Sequence, residues 1–71
     1  MTSTELKNDM TRFTGGAAFI TLVELARFLG YSTNSLKEVK SKYLIGVDKV
    51  GKNYYIPDVA KSIMNVKASE Q

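Results

Sequence analysis

Four residues, Thr21-Leu22-Val23-Glu24, do most to restrict how this chain can fold. A hydroxyl followed three places later by a carboxylate has the spacing of a reciprocal helix cap. The Thr21 hydroxyl can accept from the Glu24 backbone N–H, and the Glu24 carboxylate can accept from the Thr21 N–H. Ile20 before the cap and Leu25 four residues after it have the spacing of a hydrophobic staple, which fixes how the chain approaches the helix. Gly30 supplies the stop, because glycine tolerates the left-handed conformation of a helix C-terminus. Ser32 is a good second N-cap, and Tyr31 and Leu36 repeat the staple spacing. Residues 19–44 therefore read as a short helix, a tight glycine turn and a second short helix, the shape of a helix-turn-helix.

The first helix is expected over residues 22–29, with Leu22, Leu25, Ala26 and Leu29 on one face and Glu24, Arg27 and Phe28 off it. The second is expected over residues 33–42, with Leu36, Val39 and Tyr43 as a narrow apolar stripe. That stripe leaves Thr33, Asn34, Ser35, Lys37, Lys40 and Ser41 on the other faces. Short polar side chains at a helix start suit base edges in a major groove, and lysines behind them suit phosphates. The plainer reading of the same residues is a solvated polar face.

After Gly46 the runs Val47 to Val50 and Asn53 to Ile56 flank Gly51-Lys52, which predicts a hairpin with a type II′ turn. Val50 should face Asn53 across it. Val47, Lys49, Tyr54 and Ile56 then share one face, and Asp48, Val50, Asn53 and Tyr55 the other. Apolar residues fall on both, so the pattern leaves open which face turns inward. Lys49, Lys52 and Asn53 lie at or near the tip either way, and a short hairpin with a basic tip beside a basic helix is a wing. Pro57-Asp58 marks a last helix, its stripe made by Val59, Ile63 and Val66, which should close the core.

Ahead of all this, residues 1–16 are polar. Leu6, Met10 and Phe13 fall at helical spacing, and Thr2 and Glu5 have cap spacing, so this arm is either conditionally helical or a flexible tail. If helical, Leu6, Met10 and Phe13 form a stripe that could dock on a partner. The expected organisation is the arm at 1–16, one domain at 17–67 and a frayed tail at 68–71.

Composition narrows the chemistry. The chain has 71 residues with neither Cys nor His, which removes disulfides, zinc fingers, thiol nucleophiles and Ser-His-Asp triads. No apolar run approaches the roughly 20 residues of a membrane span, and the N-terminus does not read as a secretory signal, so a cytoplasmic protein is expected. The carboxylates Glu24, Glu38, Asp48 and Asp58 are scattered without metal-ligand spacing, and there is no glycine-rich phosphate loop. An enzyme is not expected, and no cofactor or metal. The net charge of +3 is unevenly placed: Lys37, Lys40, Lys42, Lys49 and Lys52 outnumber Glu38 and Asp48 between Tyr31 and Tyr55, and the rest of the chain balances. A localised cationic excess is the footprint of a phosphate-contacting surface.

Taken together, ITLVELARFLGYSTNSLKEV, then KVGKNYYIP, then a short apolar helix resembles the excisionase-like branch of MerR-type winged helix-turn-helix domains. The resemblance covers residues 19–66. It implies a small α+β fold: a two-helix helix-turn-helix, a two-stranded β-hairpin wing and a C-terminal packing helix. It also implies duplex DNA binding, with the second helix in the major groove and the wing on the backbone or minor groove. By position, Ser32, Thr33, Asn34, Ser35 and Lys37 match the start of the family's recognition helix, and Gly51, Lys52 and Asn53 match its wing tip. The chain departs from the family in carrying lysine where arginine is usual. Lysine is a point charge and does not grip guanine bidentately.

Two functions follow as expectations. The first is a small DNA-binding protein of a mobile genetic element, an excisionase (recombination directionality factor) or transcriptional regulator. It would hold duplex DNA through Ser32, Thr33, Asn34, Ser35, Lys37, Lys40, Ser41, Lys49, Lys52 and Asn53. The second is an adaptor for an element-encoded replication enzyme, a polymerase or helicase, or for an element-encoded recombinase. It would dock through Leu6, Met10 and Phe13 and could contact single-stranded DNA through Tyr43, Tyr54 or Tyr55.

Overall fold

The computed structural model describes residues 2–69. Within them the chain runs α1 (Ser3–Phe13), β1 (Phe19–Thr21), α2 (Leu22–Leu29), a 3₁₀ turn (Thr33–Ser35), α3 (Leu36–Tyr43), β2 (Lys49–Val50), β3 (Asn53–Tyr55) and α4 (Ile56–Ser69). This is a small α+β arrangement of four α-helices and one antiparallel sheet of three strands, in the order β1-β3-β2.

The Thr21–Glu24 pair forms as its spacing demands. Glu24 N–H donates to Thr21 Oγ1 at 3.2 Å, and Thr21 N–H donates to Glu24 Oε1 at 3.0 Å. Ile20 and Leu25 on either side are fully buried. At the other end of α2, Gly30 takes φ +84°. Its N–H donates to Arg27 O, and Tyr31 N–H donates to Ala26 O at 2.8 Å, the paired closure of a Schellman motif. A residue with a Cβ at Gly30 would cost roughly 1–2 kcal/mol for the left-handed backbone.

The second helix departs from its sequence expectation. Ser32 has the extended backbone of an N-cap but makes no side-chain cap bond; its Oγ lies 3.4 Å from Ser35 Oγ. The first turn, Thr33–Ser35, is 3₁₀, and α-helix begins only at Leu36. A serine at the third place cannot return a carboxylate to the Ser32 N–H, so the reciprocal cap cannot close.

The hairpin register is the expected one, Val50 opposite Asn53 and Lys49 opposite Tyr54. Gly51 has φ +65° and Lys52 does not have positive φ, the pattern of a type II′ turn. The sheet, however, is not two-stranded. Phe19–Thr21, at the entry to the first helix, pair with β3: Phe19 with Tyr55, Ile20 with Tyr54 and Thr21 with Asn53. Ile56 N–H extends the ladder to Ala18 O. β1 settles the face that sequence left open. Ile20, Tyr54 and Ile56 are buried, whereas Val50 and Tyr55 are exposed on the other side.

The N-terminal arm contributes a folded helix, Ser3–Phe13, instead of a tail. Thr2 and Glu5 form a complete capping box at the start of α1. α1 lies against α4 and buries Leu6 and Met10 in the same core as Leu25, Val39, Val59 and Ile63. Phe13 meets Phe28 edge-on at 5.4 Å between centroids. The radius of gyration is 11.1 Å, about the ~11 Å expected when a chain of this length folds throughout. α4 is joined to the end of α3 by the Ser62 hydroxyl, which donates to Tyr43 O. Ala68 and Ser69, expected to fray, are helical, and Glu70 and Gln71 lie outside the described residues. Among the described residues no helix is long and apolar enough to cross a membrane.

Candidate nucleic-acid interface

Three elements bring lysines to one place. Lys40 comes from α3, Lys49 from β2 and Lys52 from the hairpin turn, and all three line a groove of about 410 Å³. Thr21, Leu22 and Val23, at the start of α2, line it too, with Tyr54, the cross-strand partner of Lys49. No acidic side chain lines it among the described residues. The capping box and the β1–β3 pairing fix the start of α2, while the lysine stems stand exposed. Three lysines thus share one groove with Leu22, Val23 and Tyr54, and among the described residues none of them forms a salt bridge. A cluster of cations of this kind suits an extended polyanion.

The other sequence-derived residues are distributed around this groove unequally. Ser32, Thr33 and Asn34 are exposed at the uncapped start of the second helix, Ser35 is half-buried and Lys37 is exposed, and none of these five lines the groove. The Ser41 hydroxyl donates to its own helix, to Lys37 O at 2.9 Å and Glu38 O at 3.2 Å, so it is occupied as a donor. Asn53, expected with Lys49 and Lys52, pairs with Val50 and Thr21 on the outer side of the sheet, away from the buried Tyr54. The α2 side of the groove was missed by sequence reasoning. The capping box announced a helix start there, but nothing local said that β1 would place that start beside the hairpin.

The expected docking stripe is corrected by burial. Leu6 and Met10 face α4 inside the fold, so their apolar surface is already used, and Phe13 alone of the three is exposed. Of the tyrosines considered for stacking, Tyr43 and Tyr54 are buried and Tyr55 is open. Tyr43 is held in two ways: its hydroxyl meets Tyr31 Oη at 3.4 Å, and Lys42 Nζ lies 5.4 Å from its ring centroid. The hydrogen bond with Tyr31, then burial, pushes the Tyr43 pKa above its ordinary value. Among the described residues no group of three His, Cys, Asp or Glu side chains converges as a metal site would require.

Comparison of the chain with protein families, with curated proteins and with solved structures finds no match. Its surface chemistry is therefore what bears on function.

Proposed function

We propose that this chain is a small duplex-DNA-binding protein of winged helix-turn-helix type, in which α2 and α3 form the helix pair and β2–β3 the wing. The reading rests on the groove that gathers Lys40, Lys49 and Lys52 from three separate elements beside the second helix. A phosphate backbone crossing between α3 and the hairpin would meet all three, while Ser32, Thr33 and Asn34 stand exposed toward base edges. The chemistry favours gripping a backbone over reading bases, because each cation is a lysine. The narrower role, excisionase or regulator of a mobile element, is carried by the resemblance of residues 19–66 to that family.

The test is duplex binding against salt concentration. Replacing Lys40, Lys49 and Lys52 together by Ala should weaken binding and reduce the slope of log affinity against log salt by about 3, roughly one for each phosphate no longer neutralised. Lys37→Ala alone, outside the groove, should change the slope by less than any one groove lysine. Unchanged affinity and slope in the triple variant would show that the groove does not hold the backbone.

A further inference from the structure

The sheet has two sides, and Lys49 of the groove shares the inner one with Tyr54. Phe19 and Tyr55 stand on the other, as a cross-strand pair with ring centroids 5.5 Å apart and planes at 51°. Their exposures, 39% and 45%, make this the most open aromatic surface on the sheet, since Tyr54, one step along the ladder opposite Ile20, is buried on the other face. Beside Tyr55 lies a depression of about 250 Å³ lined also by Lys7, Ala18 and Pro57. It adjoins a second of about 180 Å³, which shares Lys7 and Pro57 and adds Lys61. No acidic side chain lines either one among the described residues; Asp58 and Lys61 both line a separate depression. Tyr55, with Phe19 paired beside it, thus opens onto a seam that Lys7 and Lys61 line.

We propose that this seam binds single-stranded nucleic acid, with an unpaired base stacked on Phe19 and Tyr55 and the neighbouring phosphates held by Lys7 and Lys61. Rings alone would suit an apolar side chain of a protein partner equally well. The flanking lysines decide for nucleic acid, because a base is the apolar face that arrives with an anion on either side. A duplex keeps its base faces within its own stack and cannot use the rings. The seam shares no lysine with the groove above, so it stands whether or not that groove binds duplex.

The experiment measures fluorescence anisotropy of the full chain with a labelled oligothymidine of about twelve nucleotides and, in parallel, a duplex of the same length. The Phe19→Leu/Tyr55→Leu variant keeps apolar bulk but removes the rings, and it should weaken oligothymidine binding roughly tenfold or more. Duplex binding should stay as in the unaltered chain. Tyr55→Phe should stay within about twofold of the unaltered chain, because the stacking face is retained. Lys7→Ala/Lys61→Ala, at exposed or half-exposed positions that leave the sheet alone, should weaken oligothymidine binding and lower its salt slope. Removing Lys40, Lys49 and Lys52 should leave oligothymidine binding in place. The inference is overturned if the unaltered chain does not bind oligothymidine, if the leucine variant binds it equally well, or if loss of the groove lysines abolishes it.

Discussion

The two short helices at the centre of this molecule begin in the same way on paper and differently in space. Each has an apolar residue, a hydroxyl and a second apolar residue at staple spacing: Ile20, Thr21 and Leu25 for α2, and Tyr31, Ser32 and Leu36 for the second. At α2 the third place is Glu24, both cap bonds form, and the staple residues are fully buried. At the second helix the third place is Ser35, the cap stays open, and the first turn tightens to 3₁₀. One carboxylate therefore separates a capped start from an uncapped, solvent-facing one. The capped start lines the lysine groove, and the uncapped one carries the short polar residues.

Four substitutions probe that contrast. Leu25→Ala removes a fully buried side chain from under the capped start and should cost about 3 kcal/mol, within the usual 2–5 for such changes. In a domain of this size that lowers Tm by roughly 12–24 °C. Thr21→Ala breaks the cap and should cost about 1 kcal/mol. Tyr31→Phe removes the hydroxyl that joins the turn to the end of α3, a long bond worth about 0.5 kcal/mol at neutral pH. It also carries a pH signature. Because the folded state raises the Tyr43 pKa, its contribution is complete below the ordinary tyrosine value near 10 and is lost as pH rises through the raised folded value. Thermal melts across that alkaline window should fall for the unaltered chain and fall less for Tyr31→Phe. Ser32→Ala should be the mildest, a few tenths of a kcal/mol, because there is no cap bond to lose. A Ser32→Ala cost equal to that of Thr21→Ala would erase the contrast.

What could be read from sequence was what neighbours in the chain decide. Both ends of α2, the hairpin register and the type II′ turn at Gly51 depend on residues within a few places of each other. β1 could not be read this way. Three residues do not make a period, and the partner of Ile20 is Tyr54, far along the chain. The face of the hairpin that turns inward was undecidable for the same reason: β1 supplies the missing strand. The amphipathic spacing of Leu6, Met10 and Phe13 was legible, but spacing does not say whether the matching surface is a partner or α4. Likewise the lysine excess was visible, but not that Lys40, Lys49 and Lys52 would meet while Lys37 stayed outside.

The Glu24 carboxylate has one more consequence, for association between copies. β1 is an outer strand, and the alternation of the ladder points the N–H groups of Phe19 and Thr21 away from β3. An outer strand with outward donors is a template on which another chain can extend the sheet. In closing the cap, Glu24 occupies the Thr21 N–H and sets a negative charge at that margin. The pair of residues that starts α2 therefore also leaves the open side of the sheet a poor seed for growth.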